Sequence, residues 1–168
     1  YSQEGIDVEK LLEHAKTQAP LGQYPKGNPI DNQELLTLAV DILIPAAKGN
    51  VITAAIADKV QAKIIVEAAN SPITKEAEEI LENNNVTILP DILVNSGGVI
   101  VSYFEWAQNI QEFQWEEDRI EKELLQRISN GFAAVWQDSI QSKTNLRKSA
   151  FKIALAKVAK AALLRGFV

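Results

Sequence analysis

The sequence has no cysteine and no methionine. Without cysteine there is no disulfide framework, no thiolate metal site and no cysteine nucleophile. A start methionine is normally trimmed only before a small residue, and Tyr1 is large, so the chain reads as a fragment of something longer. Basic residues are outnumbered, 17 Lys and Arg against 22 Asp and Glu, for a net charge of -5. Nucleic acid is therefore not an expected partner, since phosphate binding needs clustered cations. No apolar run approaches the roughly 20 residues that cross a bilayer, and no signal-peptide pattern opens the chain. These absences point to a cytoplasmic protein with no membrane partner. His14 is the single histidine; it falls on an expected surface helix and is given no catalytic role.

What is present suits a folded domain. The 168 residues are 46% hydrophobic and 23% charged, enough for one real core. A short helix is expected from Val8 to Thr17, with Ile6 and Asp7 as staple and cap. Gly22 to Pro29 is a Gly/Pro-rich loop. Asp31 caps a second short helix through Leu38, with Glu34 completing a capping box. Three brief apolar runs follow: Asp41 to Ile44, Lys63 to Glu67, and Val86 to Leu89. Proline or a small-residue turn stops each. Between the first two, Val51 to Gln61 is expected to be a short edge piece or turn. Thr74 caps a helix to Asn84 with a stripe of Ala77, Ile80 and Leu81. Short apolar runs separated by helices, without an Asn-Gly or Asp-Gly hairpin signal, predict buried parallel strands in an open α/β sheet.

Beyond Asn95 only helices are expected. Val99, Tyr103, Trp106, Ile110 and Phe113 form one helical stripe. Leu125, Ile128, Phe132, Val135, Trp136 and Ile140 form a second, and Phe151, Leu155, Val158 and Ala162 a third, ended by Arg165 and Gly166. Trp106, Trp115 and Trp136 are expected in the core. Glu116 to Asp118, Glu121 and Glu123 read as a solvated helix start. Lys143, Arg147, Lys148 and Lys152 lack the aromatic platform of a nucleic-acid site.

Ligands of open α/β sheets bind beyond the carboxyl ends of the strands. That rule selects Pro45-Ala46-Ala47, Ala68-Ala69-Asn70 and Asn95-Ser96-Gly97-Gly98. Their small residues admit a bulky ligand close to the backbone. Asn70 and Asn95 can donate and accept, as a carboxamide or ribose requires. Gly97 and Gly98 open a helix whose free N–H groups favour an anion. Val99 and Ser102 share a face of its first turn, which suits a carboxylate on a short methylene arm. Each feature also has a plain reading: Asn95 as a helix cap, Asn70-Ser71-Pro72 as a turn, Gly97-Gly98 as relief of crowding, Ser102 as a solvent-facing hydroxyl.

The motifs Asp41-Ile42-Leu43-Ile44-Pro45-Ala46-Ala47, Val66-Glu67-Ala68-Ala69-Asn70, Leu89 to Val99 and Val101-Ser102-Tyr103-Phe104-Glu105-Trp106-Ala107-Gln108-Asn109 resemble the hexameric glutamate dehydrogenases, within the Glu/Leu/Phe/Val dehydrogenase family. So does the stretch from Leu146-Arg147-Lys148-Ser149-Ala150 to Leu164-Arg165-Gly166. Leucine and phenylalanine dehydrogenases share the Asn-x-Gly-Gly start but not the continuation around Ser102. Family members usually carry Ala at the place of Ser96 and often Gly at that of Ser71.

The resemblance implies a truncated Rossmann-like parallel sheet with flanking helices over residues 1–112. Residues 113–168 would be a C-terminal helical segment returning towards a substrate domain. It implies NAD or NADP as cofactor, with Ala46 and Ala47 along the nucleotide and Asn70 on the nicotinamide ribose. Asn95 would sit where nicotinamide meets substrate, and Val99 and Ser102 would line the glutamate pocket, Ser102 bonding the γ-carboxylate. The reaction implied is oxidative deamination of L-glutamate to 2-oxoglutarate and ammonia in a homohexamer. The family's Gly-x-Gly-x-x-Gly turn and its catalytic lysine and aspartate are not in this sequence, so the chain alone is expected to be inactive and to bind cofactor weakly; its bared sheet edge and last helix are expected to pair in a homodimer. A standalone nucleotide-binding or regulatory module is the alternative. A branched-chain or aromatic amino-acid dehydrogenase would need an apolar residue in place of Ser102.

Overall fold

The computed structural model describes residues 1–167. Its centre is a three-stranded parallel sheet in the order β1-β2-β3, formed by Ile42–Leu43, Ile64–Val66 and Thr87–Leu89. Leu43 lies opposite Ile65, and Ile65 opposite Ile88. This row points to one face, because side chains alternate along a strand. There it meets Ile52, Ala57, Ala77 and Leu81 from the two crossovers, in one buried cluster. The connections carry helices α3 (Ala54–Ala57) and α4 (Lys75–Asn83), which pack on each other.

Local chemistry sets the helix starts. Asp7 accepts from the Lys10 N–H ahead of α1 (Val8–Lys16). Ahead of α2 (Asn32–Leu36), Asp31 and Glu34 form the full reciprocal box. Thr74 accepts from Ala77 N–H to start α4. Each bond satisfies a donor that the first helical turn would leave unpaired. His14 Nε2 lies 3.1 Å from the Pro20 carbonyl oxygen, which ties α1 to the turn that follows it.

Two short α-helices were not anticipated. The 51–61 stretch, expected as a short edge piece or turn, makes a single parallel bridge from Ile52 to Ile73, outside the three strands, and contains α3. Helix α5 (Asp91–Val94) directly follows β3. Both are one turn long, too short to show a helical period.

The long helices α6 (Gly97–Gln111), α7 (Glu117–Ser142) and α8 (Leu146–Leu164) pack in sequence order, α6 on α7 and α7 on α8. Their buried faces match the expected stripes only in part: Val135 belongs to the stripe expected for α7, whereas the stripes expected for α6 and α8 face outward. Helix α6 buries Phe104, α7 buries Val135, and α8 buries Leu146, Ser149 and Ala150. Trp106 and Trp136, expected in the core, are 57% and 45% exposed, and Trp115 is half-buried. The periods are correct, but α6 is apolar on two faces. Its inner face runs through Gly97, Ile100, Phe104 and Ala107, and its outer face through Val99, Tyr103, Trp106 and Ile110. Periodicity identifies an apolar face without identifying which one meets the body of the molecule.

Candidate functional site

The turns leaving the three strands meet at one end of the sheet. The Ala69 N–H donates to the Pro45 carbonyl at 2.8 Å, joining the first turn to the second. Asn50 N–H donates to the Ser71 carbonyl at 2.8 Å. Gly49 is fixed by this contact: a Cβ there would lie 2.9 Å from the Asn70 carbonyl oxygen, closer than any side chain tolerates. Ser71 takes a left-handed φ of 45°, and its N–H is held by Asp91 Oδ2 at 2.8 Å. The second turn is thereby tied to the third. Across the gap Asn95 Nδ2 donates to Asn70 Oδ1 at 2.6 Å.

Between the turns lies an open cleft of ≈ 840 Å³. Its walls are Ala47, Gly49, Ala68, Ala69 and Asn70 on one side, with Ile92, Asn95, Ser96 and Val99 on the other. The expected site residues Ala47, Asn70, Asn95 and Val99 are thus together. Ala46 lies one residue off, lining a neighbouring groove with Leu35, Ile42 and Ile44 on the open side of β1. Ser102 is exposed one turn further along α6 and does not line the cleft. Asn95 does not cap α6: Ser96 holds that position, and its hydroxyl donates instead to the Leu93 carbonyl at 2.7 Å.

The cleft is electrically neutral in its side chains. None of the described residues lining it is titratable. Its polarity comes from the two amides and from the N-terminal turn of α6, whose peptide N–H groups lack partners within the helix. Gly98 stands in open space, where a Cβ would meet nothing within 4 Å, so crowding within the described chain does not require glycine there. No cluster of described His, Asp or Glu residues could hold a metal ion.

A model of the glutamate/leucine/phenylalanine/valine dehydrogenase family matches residues 1–166. The chain belongs to this family. It is 43% identical over 166 residues to the glutamate dehydrogenase of Thermotoga maritima, covering 99% of this chain and 40% of that protein. The crystal structure of glutamate dehydrogenase from Peptoniphilus asaccharolyticus superposes with a TM-score of 0.80 at 30% identity, over 100% of this chain and 37% of that one. A hetero-hexameric glutamate dehydrogenase from Thermus thermophilus, in a leucine-bound form, gives 0.82 at 28% identity, over 98% and 39%. The chain therefore spans about two fifths of the length of the curated relatives it matches.

Behind the cleft of this dehydrogenase-family chain sits a buried charge cluster that sequence reasoning missed. Arg147 on α8 pairs with Glu67 at 2.6 Å, Glu78 at 2.7 Å and Asp91 at 3.0 Å. Glu67 is 0% exposed, and its Oε1 has no hydrogen-bond partner among the described residues. Burial pushes its carboxyl above the ordinary glutamate value, against the pull of Arg147 and the Asp91 N–H. For Arg147, burial works against the charge, but the bonds to Glu78 and Glu67 outweigh it and raise its pKa. One signal was available: Glu67 is a carboxylate at the end of a buried strand, where an unpaired charge is not tolerated.

Proposed function

We propose that this chain forms the nicotinamide- and substrate-facing part of an NAD- or NADP-dependent dehydrogenase acting on L-glutamate. The observation that carries the reading is the convergence of three strand-end turns on one cleft closed by the Asn70–Asn95 amide pair. The residues fit such a cofactor. Alanines and glycine leave room for a flat ring, and among the described residues the Asn70 amide nitrogen and the Asn95 amide oxygen make no further bond. A ribose hydroxyl or a carboxamide can use both.

In this reading Ala46 and Ala47 flank the nucleotide, Asn70 bonds the nicotinamide ribose, and Asn95 stands between ring and substrate. Val99 packs on the substrate methylenes, and Ser102 bonds the γ-carboxylate near the positive end of α6. When bound, NAD or NADP supplies the acceptor for hydride from the α-carbon of L-glutamate, and hydrolysis of the resulting imine gives 2-oxoglutarate and ammonia. The chain's own residues bind and orient. With no titratable side chain among the described residues lining the cleft, the proton acceptor comes from elsewhere in a longer protein.

Residues 1–112 then belong to a Rossmann-like nucleotide domain, and 113–168 return towards a substrate domain. Assembly as a hexamer in the cytoplasm completes the reading, supported by the hexameric relative from Thermus. The neutral cleft also favours a second reading, a nucleotide-binding module without chemistry.

Steady-state reduction of NAD and NADP with glutamate, leucine, phenylalanine or valine separates the two. The full-length protein is expected to turn over glutamate best, and Ser102→Ala is expected to raise KM for glutamate more than for leucine. The 168-residue chain alone is expected to give no turnover. A preference for leucine or phenylalanine, or turnover by the chain alone, contradicts the proposal.

A further inference from the structure

The Arg147 cluster reaches the cleft through an unbroken set of bonds. Its guanidinium Nη1 donates to Asp91 Oδ1, and Nη2 to Glu67 Oε2. The same Glu67 oxygen accepts the Asp91 N–H at 2.8 Å. The other Asp91 oxygen accepts the Ser71 N–H at 2.8 Å. Ser71 follows Asn70, and Asp91 opens the single helical turn that ends at Asn95. Both cleft amides are therefore one short step from a group that Arg147 holds. On its far side Arg147 Nε is anchored by Glu78 of α4 at 2.7 Å.

The geometry is specific to arginine. Three donors in one plane meet carboxylates from three different elements. A lysine would bring the same charge as a single point, without the fork that sets the spacing between Glu67 and Asp91. A cluster needed only to fill space is readily replaced by apolar residues. Here, however, two of the three acceptors lie at the roots of the two turns that carry Asn70 and Asn95. Among the described residues Glu67 Oε2 alone accepts from both Arg147 and the Asp91 N–H, and Oε1 takes no bond.

We propose that Arg147 is a positioning residue of the cleft: acting from α8, it fixes the separation of the 68–71 and 91–95 turns and so the geometry of the Asn70–Asn95 pair. The effect on turnover rests on the dehydrogenase reading above; the effect on the two turns does not.

The test uses the full-length protein as wild type, Arg147→Lys and Arg147→Met. Amide hydrogen exchange is read on peptides covering residues 67–72 and 90–97, with residues 54–62 as the control. KM and kcat for nucleotide and glutamate are read in parallel. Arg147→Lys keeps the charge and is the variant that decides if Arg147→Met fails to fold. Exchange in the two turns is expected to rise in Arg147→Lys while the control peptide keeps its protection. KM for the nucleotide is expected to rise roughly tenfold, in line with the cost of small misplacements, with a smaller change in kcat. Unchanged exchange in the turns, or equal loss of protection in the control, overturns the proposal. So does a loosened pair of turns with wild-type KM. If the wild type turns over no amino acid, the dehydrogenase reading fails, and the exchange measurement alone still decides the role of Arg147.

Discussion

Around the sheet, large apolar side chains are sealed: Ile52, Ile65 and Leu81 have no exposed surface. Along α6, α7 and α8 the same residue types point outward, with Val99 69% and Leu155 64% exposed. The two regions differ in their partners. Strand and crossover side chains face each other within the chain. The outer faces of the long helices face nothing among the described residues. An apolar residue contributes by the surface that its neighbours remove from water, so the stability of this chain should be concentrated in the sheet layer.

Truncations should divide along that line. Leu81→Ala leaves a cavity beneath the sheet and is expected to cost about 3 kcal/mol. Leu155→Ala, on the outer face of α8, is expected to stay within about 0.5 kcal/mol of wild type. Urea denaturation of both measures the contrast, and equal losses would mean that the outer face is buried in solution.

Glycines offer a finer comparison. Gly49→Ala must displace the Asn70 carbonyl, at about 2 kcal/mol for an overpacked site. Gly98→Ala meets open space and should leave the denaturation midpoint unchanged or raised. If both are neutral, the close packing of the first two turns is wrong.

The smallest effect is a change of slope. The Glu67 carboxyl is raised above its reference value of 4.5 by burial. It therefore holds its proton more tightly in the folded chain than in the unfolded one. The stability this contributes is complete below pH 4.5 and is lost as pH rises through the folded value. Glu67→Gln cannot titrate, so the stability of wild type relative to this variant should fall as pH rises from 4.5 towards neutrality. A difference that stays flat would mean that folding leaves the Glu67 carboxyl unshifted, and one that grows would mean that folding lowers it.

Much of the sheet layer was legible because its signals are local. Asp7, Thr74 and the Asp31–Glu34 box cap helices within three residues of themselves, and each strand is a short apolar run with a stop behind it. The turns at 45–47, 68–70 and 95–98 followed from those stops, and with them the cleft. Ala46 and Ser102 border the cleft rather than line it, the one by a residue of register and the other by a helical turn. The Arg147–Glu67 pair spans 80 residues, and no local pattern links its members. The outer helix faces could not be told from the inner ones because both repeat with the same period.

The central claim is that nicotinamide nucleotide meets this chain at the Asn70–Asn95 pair. Titrating isotopically labelled protein with millimolar NAD or NADP, while following its backbone and asparagine side-chain amides by NMR, tests that directly. The account predicts that Ala47, Gly49, Asn70 and Asn95 shift together while α1 and the outer face of α8 do not. Shifts centred on the groove between Leu35 and Ile44, or none at any concentration, would contradict it.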